Sequence, residues 1–520
     1  MLLSNSTKKK LTLIPLVLLI FSSVFGFNNM PRAYYLMGYA AIPWYIFGAI
    51  TFMIPYASMI AEYGAAFKDE KGGIYSWMSK SVGPRYAFVG TFMWFFSYVI
   101  WLVSTSSSIW VPLSTAIIGS DSTSKWTVMG LSSTQVIGIL GVLWIIFITF
   151  ASSRGLDKIK KITSIGGTAI TLLNVVLIVG AIVVFILNKG QLAQPISAHS
   201  FVQGPNPAYG SIIAMMSFAV FAIFAFGGLE VVGGLVDETE NPVKTFPKGI
   251  IMSAIIIAIA YCLGIFMVGV FTNWNDTLSG SNVNMINVSY VIMNNLGVTL
   301  GQGLGLSMAV STQIGSWIAR FVGISMFLAL TGAFFTLAYS PIKQLIEGTP
   351  KEIWPKKLTK LNDKGMPFNA MLVQCIVVVV IILGTSFAGQ DASEFFSKLV
   401  LMTNVAMTVP CIFVAGAYYS FKKNENIKKP FAIFKTKAAA LIASISVVVV
   451  VGFGNLVTII EPALQGNLEN TIWMIGGPVF FAIVALLLYW NAERRMKKQG
   501  KVLGVDSLDD EEETETIKRA

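Results

Sequence analysis

The chain has 520 residues, 55% of them hydrophobic and only 12% charged, and a mean hydropathy of +0.70. A soluble fold of that length cannot hide so much apolar surface, and the short alternating segments of a membrane β-barrel are missing. What remains is an all-α polytopic membrane protein, whose net charge of +11 follows its topology and is no nucleic-acid footprint.

A spanning helix needs roughly 20 mainly apolar residues. Such windows predict twelve spans, near 11–38, 41–66, 85–118, 131–151, 162–187, 211–235, 247–271, 313–341, 369–388, 395–420, 437–460 and 471–490. Lysine and arginine collect at both ends of the chain and after each even-numbered span. Only Arg32, Lys125, Lys189, Arg320 and Lys398 fall elsewhere. The positive-inside rule then places both termini in the cytoplasm.

The N-terminal KKK followed by LTLIPLVLLIFSS has the outline of a secretory signal. The helix, however, runs on into the bulky FGFNNM without a small-residue cleavage site, and it reads as the first span. That span carries FSSVFGFNNMP at 21–31, where Ser, Gly, Asn and Pro crowd its middle and end. The sixth span is interrupted in the same way by FAFGGLEVVGG at 224–234, which places two glycine pairs and Glu230 inside an apolar segment. Glycine weakens a helix, and a carboxylate in a bilayer is costly. Close helix packing on small residues accounts for the glycines alone. Two interruptions five spans apart favour another arrangement, two halves of five spans in opposite orientation with a site at the breaks. Irregular backbone at that depth is tolerated only where protein or a water-filled cavity surrounds it.

Further along, Asn241-Pro242 is expected to help end a helix and Pro247 to begin the next, since a helix start leaves the missing N–H without consequence. Asp237, Glu238 and Glu240 with Lys244 and Lys248 read as a solvated turn. The segment VNMINVSYVIMNNLG in the 272–312 loop suggests a short helix over the outer mouth, and GGIYSW (72–77) an amphipathic element in an inner loop. The tail from about 491 turns from basic to acidic and is expected to be disordered. Cys262, Cys375 and Cys411 lie in apolar stretches at unrelated spacing, so they imply neither disulfide nor metal site.

Four stretches carry a family resemblance: FSSVFGFNNMP (21–31), AEYGAAFKDEKGGIYSWMSKSVGPRYAF (61–88), FAFGGLEVVGGLVDETENPVKTFP (224–247) and LTKLNDKGMPFNAM (358–371). Together they resemble the amino acid–polyamine–organocation superfamily. The resemblance is nearest to its glutamate/γ-aminobutyrate antiporter family and, within that, to the YjeM-like branch of bacterial inner-membrane transporters. It implies a LeuT-type 5+5 inverted repeat of twelve helices with broken helices 1 and 6. The corresponding division is a cytoplasmic N-terminus at 1–10, a first repeat at 11–187, an outer loop at 188–210 and a second repeat at 211–420. Helices 11 and 12 then occupy 421–490, and a cytoplasmic tail 491–520.

The resemblance further implies alternating-access transport of an amino acid or related amine in the cell inner membrane, by exchange or coupled to protons. On the family's pattern, Ser22, Ser23, Val24, Phe25 and Gly26 offer backbone amides to a substrate carboxylate, consistent with the partial positive charge at a half-helix N-terminus. Phe224, Ala225, Phe226, Gly227 and Gly228 would supply carbonyls for the amino group. Phe226 is either a gate over the ligand or packing.

Glu230 has two readings. It ties the broken helix to its neighbours by bonding backbone amides, or it couples transport by taking up a proton in one conformation. Tyr98 and Trp101, about one turn apart on span 3, are candidates to face the pathway. Glu62 reads as structural, and Arg320 as a side chain that snorkels outward. The single histidine, His199, sits in an outer loop, which argues against pH gating by histidine. No zinc spacing, Walker loop or nucleophile elbow points to an enzyme, a metal or a cofactor. The competing functions are a channel, for which repeated filter loops are lacking, and a sensor that kept the fold without transport. The expected partners are small-molecule substrate, protons and lipid, with the oligomeric state left open.

Overall fold

The computed structural model describes residues 11–68, 73–154, 156–230, 236, 239–389, 392–501 and 503; the side chains of residues 22, 23, 156–164, 392 and 393 are also outside the description. The expectations for residues 1–10, for Asp237 and Glu238, for VVGGL at 231–235 and for the acidic tail from 504 therefore lie outside the described residues. Among the described residues the protein is helical, with two isolated β-bridges and no strand.

In chain order the helices are α1 (Leu13–Val24), α2 (Asn29–Met37), α3 (Ala41–Gly48), α4 (Ile54–Ala66), α5 (Ile74–Ser81), α6 (Pro84–Ser108), α7 (Trp110–Ile118), α8 (Ser133–Ser152) and α9 (Leu156–Leu187). They continue as α10 (Ile212–Ala225), α11 (Pro242–Phe271), α12 (Trp274–Thr277), α13 (Val288–Gly303), α14 (Met308–Leu337) and α15 (Ser340–Gly348). The last are α16 (Phe368–Ser386), α17 (Ala392–Lys423), α18 (Lys437–Leu464) and α19 (Leu468–Lys498).

Among the described residues, ten helical stretches are long and apolar enough to cross a membrane, against the twelve expected. The difference lies at the two interruptions. α1 has 12 residues and α10 has 14, about 18 and 21 Å at 1.5 Å per residue, short of a bilayer core of about 30 Å. α2, α3 and α4 run together as one helical stretch, Asn29–Ala66, joined by a 3-10 turn at Gly38–Ala40 and a π-turn at Ala49–Met53.

Burial sorts the helices into centre and rim. The most apolar window of the α6–α7 stretch is 89% buried, that of α19 17%. α6 packs against α17, α8 and α19, α11 against α1 and α4, and α14 against α13, α9 and α7. Glycine permits the closest of these approaches. A Cβ on Gly323 of α14 would lie 2.5 Å from the Ala116 nitrogen and 2.7 Å from the Pro112 oxygen, both backbone atoms of α7. Such atoms do not swing aside, and overpacking of this kind costs about 1–3 kcal/mol. Gly323→Ala is therefore expected to lower the thermal unfolding midpoint in detergent. Gly452→Ala, where nothing lies within 4 Å of the added carbon, should leave it unmoved; equal behaviour of the two would refute this account.

Three boundaries differ from expectation. α11 begins at Pro242, not Pro247: Asn241, in the left-handed region at φ 47°, precedes it as the N-cap, and Pro247 lies inside the helix. Asn241-Pro242 thus opens a helix, as proline at the first position allows. α19 runs to Lys498, so 491–498 is an ordered helical end, not a tail. Its Arg495 donates to the Glu352 carbonyl at 3.0 Å, and Glu493 pairs with Arg85 at 2.6 Å. α14 begins at Met308, which puts Arg320 well inside the helix. Its guanidinium does not simply reach for water: it donates to the Ile117 and Ile118 carbonyls at the end of α7, capping orphan acceptors there. Of the inner-loop element, residues 74–77 form the start of α5, with Ile74, Tyr75, Trp77 and Met78 buried. Of the outer-loop segment, residues 288–297 form the start of α13.

Candidate functional site

α1 ends at Val24, the chain is extended at Phe25, and helix resumes at Asn29. Asn, Pro and Gly around this point explain the stop, since Pro31 is tolerated only near a helix start. α10 ends at Ala225, Phe226 and Gly227 turn back on Ile223 and Phe224, and Gly228 adopts φ 104°, a conformation open to glycine alone at little cost.

One side chain joins the two interruptions. Tyr261 of α11 is fully buried. Its hydroxyl accepts from the Gly26 N–H at 2.8 Å and from the Asn29 amide at 3.0 Å, and it donates to the Ala225 carbonyl at 3.0 Å, with the Val24 carbonyl at 3.4 Å. Phe25 stacks on its ring with centroids 4.5 Å apart, and Phe226 and Tyr45 meet it at 5.7 and 5.3 Å. A donor from the first break and an acceptor from the second thus converge on one neutral, polar group. Those are the partner types that a carboxylate and an ammonium require.

The expected backbone donors are distributed around this point. Ser22, Ser23 and Val24 lie in the last turn of α1, the Phe25 N–H is bonded to the Phe21 carbonyl at 2.8 Å, and the Gly26 N–H is held by Tyr261. On the second break, the Phe224 carbonyl receives the Gly227 N–H at 3.0 Å and the Ala225 carbonyl receives Tyr261. Phe226 is fully buried between Tyr45 and Tyr261.

Glu230 follows within one turn and is 5% exposed. The backbone N–H groups of Gly228 and Glu230, the Tyr56 hydroxyl and the Trp94 indole are its polar neighbours. Geometry leaves this cluster incomplete. Glu230 Oε2, the Tyr56 hydroxyl and Trp94 Nε1 are all buried without a closed hydrogen bond among the described residues. A buried polar atom left so is costly, and a proton on Oε2 would turn an unpaired acceptor into a donor. Tyr98 packs edge-on against Trp94, 5.1 Å between centroids, and borders the same enclosure. Trp101 does not join it; it packs against Phe334 of α14 at 5.2 Å.

Glu62 anchors the C-terminal end of α4. It is wholly buried, bonds Lys422 of α17 at 2.7 Å, and accepts the N–H groups of Ile433 and Phe434 at 2.7 and 3.0 Å. Tyr261 and Lys422 were not among the residues singled out from sequence. A tyrosine in an aromatic-rich helix and a lysine in a basic inner segment carry no local signal of these roles.

Comparison with known proteins decides the family. The amino acid permease profile matches residues 11–488. The chain belongs to the amino acid permease family. Among similar permeases and transporters, the Escherichia coli protein named inner membrane transporter YjeM is 55% identical over 493 residues, covering 95% of this chain and 98% of its own. The aspartate/glutamate permease AcaP of Lactococcus lactis is 23% identical, covering 84% of each chain. A glutamate/gamma-aminobutyrate antiporter of the same species is 20% identical, covering 85% of this chain and 82% of its own. This permease is accordingly a multi-pass inner-membrane transporter and not an enzyme.

Proposed function

We propose that the permease is a secondary active transporter that moves an amino acid or related amine across the membrane by alternating access. The observation that carries this reading is the meeting of the two interruptions at Tyr261, a donor and an acceptor of backbone origin side by side. The proposed frame is the LeuT-type inverted repeat, residues 11–187 against 211–420, with twelve spans and both termini cytoplasmic. α1 with α2 forms its first span and α10 with the segment after Gly228 its sixth. Short helices interrupted at matching places support that frame, because irregular backbone at depth is tolerated only inside protein or around a water-filled cavity.

In this reading a substrate displaces the Tyr261 hydroxyl, its carboxylate taking the Gly26 N–H of the Ser22–Gly26 stretch and its ammonium the Ala225 carbonyl of the Phe224–Gly228 stretch. Glu230 is the coupling residue, and Tyr98 borders its enclosure. Named relatives include an aspartate/glutamate permease and glutamate/gamma-aminobutyrate antiporters, which support amino-acid exchange as the working model.

Reconstituted liposomes test it. Vesicles loaded with unlabelled amino acids are expected to take up labelled substrate from a broad panel, with internal substrate required for exchange or a pH gradient for proton coupling. Absence of uptake across the panel under both conditions would reject transport in favour of a sensor.

Glu230→Gln is expected to flatten the pH dependence of uptake while leaving the ranking of substrates in place. The amide keeps the size of the side chain but takes up no proton. A variant with the wild-type pH profile would return Glu230 to a purely structural role.

A further inference from the structure

Three irregularities of helical backbone meet around Glu230. The first is the second interruption itself, with Gly228 at φ 104°. The second is the π-turn at Ala49–Met53, just before Tyr56. One extra residue in a helix turns everything after it by about 100°, a single residue's share of a 3.6-residue turn, so the π-turn decides which way Tyr56 faces. The Thr51 carbonyl in that turn is taken by the Ser446 hydroxyl of α18 at 2.8 Å. The third is Pro410 inside α17, next to Cys411. A proline there denies the Ala406 carbonyl its helical partner.

Tyr56 stands between Glu230 and Cys411. Its side chain is wholly buried, and its ring stacks on Phe52 with centroids 5.3 Å apart. Its hydroxyl has two polar neighbours, the Glu230 carboxyl and the Cys411 thiol, and closes a hydrogen bond with neither. With the ring held by stacking, the hydroxyl hydrogen is still free to turn about the C–O bond. The titratable groups facing Glu230 are Tyr56 of α4, Tyr98 of α6 and Cys411 of α17, beside the Trp94 indole. Among the described residues no lysine, arginine or second carboxylate joins them. Indole and phenol both donate, which suits an ionised carboxylate and offers little to a metal cation.

We propose that Tyr56 is the positioning residue that passes the protonation state of Glu230 to α17. With Glu230 ionised, the Tyr56 hydroxyl and the Trp94 indole donate to the carboxylate, and the Cys411 sulfur is left alone. When Glu230 takes a proton from hydronium in the aqueous pathway, its new O–H donates to the Tyr56 oxygen, and the Tyr56 hydrogen turns to the Cys411 sulfur. No other covalent bond forms or breaks. α17 is then joined to the second interruption through Tyr56, at the place where Pro410 weakens its hydrogen-bond ladder. This rests on the coupling role proposed for Glu230 and names the route by which its protonation reaches a neighbouring helix.

The test offers a panel of the labelled common amino acids and γ-aminobutyrate to liposomes containing the full chain, across acidic and neutral pH. The ratio of uptake between the most and the least favourable pH is the readout. Tyr56→Phe should bring that ratio to within about twofold of unity, as Glu230→Gln does, and should change nothing further when added to Glu230→Gln. Cys411→Ala should flatten the profile as well, whereas Cys411→Ser, whose hydroxyl also accepts from a phenol, should keep it. If Tyr56→Phe or Cys411→Ala lowers the unfolding midpoint in detergent and leaves the ratio as in wild type, its role is packing alone. That result, with the profile flattened in Glu230→Gln, overturns the inference and leaves the coupling role standing. A flat wild-type profile, a wild-type profile in Glu230→Gln, or no uptake of any member of the panel removes the coupling role, and the inference falls with it.

Discussion

Tyr261→Phe is expected to reduce substrate uptake at least tenfold while the protein still folds and inserts. The substitution removes one oxygen and leaves the Gly26 N–H, the Asn29 amide and the Ala225 carbonyl without their shared partner. Leaving a buried group unpaired costs about 1–3 kcal/mol, and tenfold in rate corresponds to about 1.4 kcal/mol, so loss of one of the three contacts already reaches that size. Tyr45→Phe is the control. The Tyr45 ring packs in the same aromatic cluster, but its hydroxyl makes only a long 3.5 Å contact with the Asn29 carbonyl. Uptake by Tyr261→Phe within twofold of wild type would show that the hydroxyl is not what holds the interruptions in register.

The second large effect concerns the C-terminal end of α4. Glu62→Ala strips Lys422 of its counter-charge in a buried setting and frees the Ile433 and Phe434 N–H groups. Breaking one side of such a pair costs about 3–5 kcal/mol, visible as a lower unfolding midpoint in detergent. The double variant Glu62→Ala, Lys422→Met removes both charges and should recover part of that loss. A double variant less stable than Glu62→Ala would mean that Lys422 stabilises the fold through contacts other than this pair.

How much of this was legible in the sequence depends on how local each signal is. The interruptions at 21–31 and 224–228 were legible because glycine, proline and asparagine act on their own backbone, wherever the helix later packs. Glu230 was legible as an isolated carboxylate in an apolar run. Its surroundings were not: Tyr56 and Trp94 come from α4 and α6, and no spacing rule connects them. Tyr261 and Gly26 are 235 residues apart, and Glu62 and Lys422 are 360 apart; such pairings are set by how helices cross.

The errors have the same origin. Arg320 looked like a side chain reaching for water, because the carbonyls it caps belong to α7, some 200 residues earlier. Proline before a hydrophobic run signals a helix start in either case. What moved the start of α11 from Pro247 to Pro242 was the left-handed turn at Asn241, which composition does not specify. The end of α19 stays helical because Arg85 and the Glu352 carbonyl hold it, although its residues alone read as solvated.

The start of the first interrupted helix is held a second time. The Leu11 carbonyl accepts the Glu240 N–H at 2.9 Å, and Leu11 also bridges Thr239. Leu11, just before α1, is thus fastened to Glu240, just before α11, and Gly26, just after α1, to Tyr261 within α11. Both ends of the first half-helix are tied to the same neighbour, so displacing α1 along α11 breaks a bond at each end, not one alone.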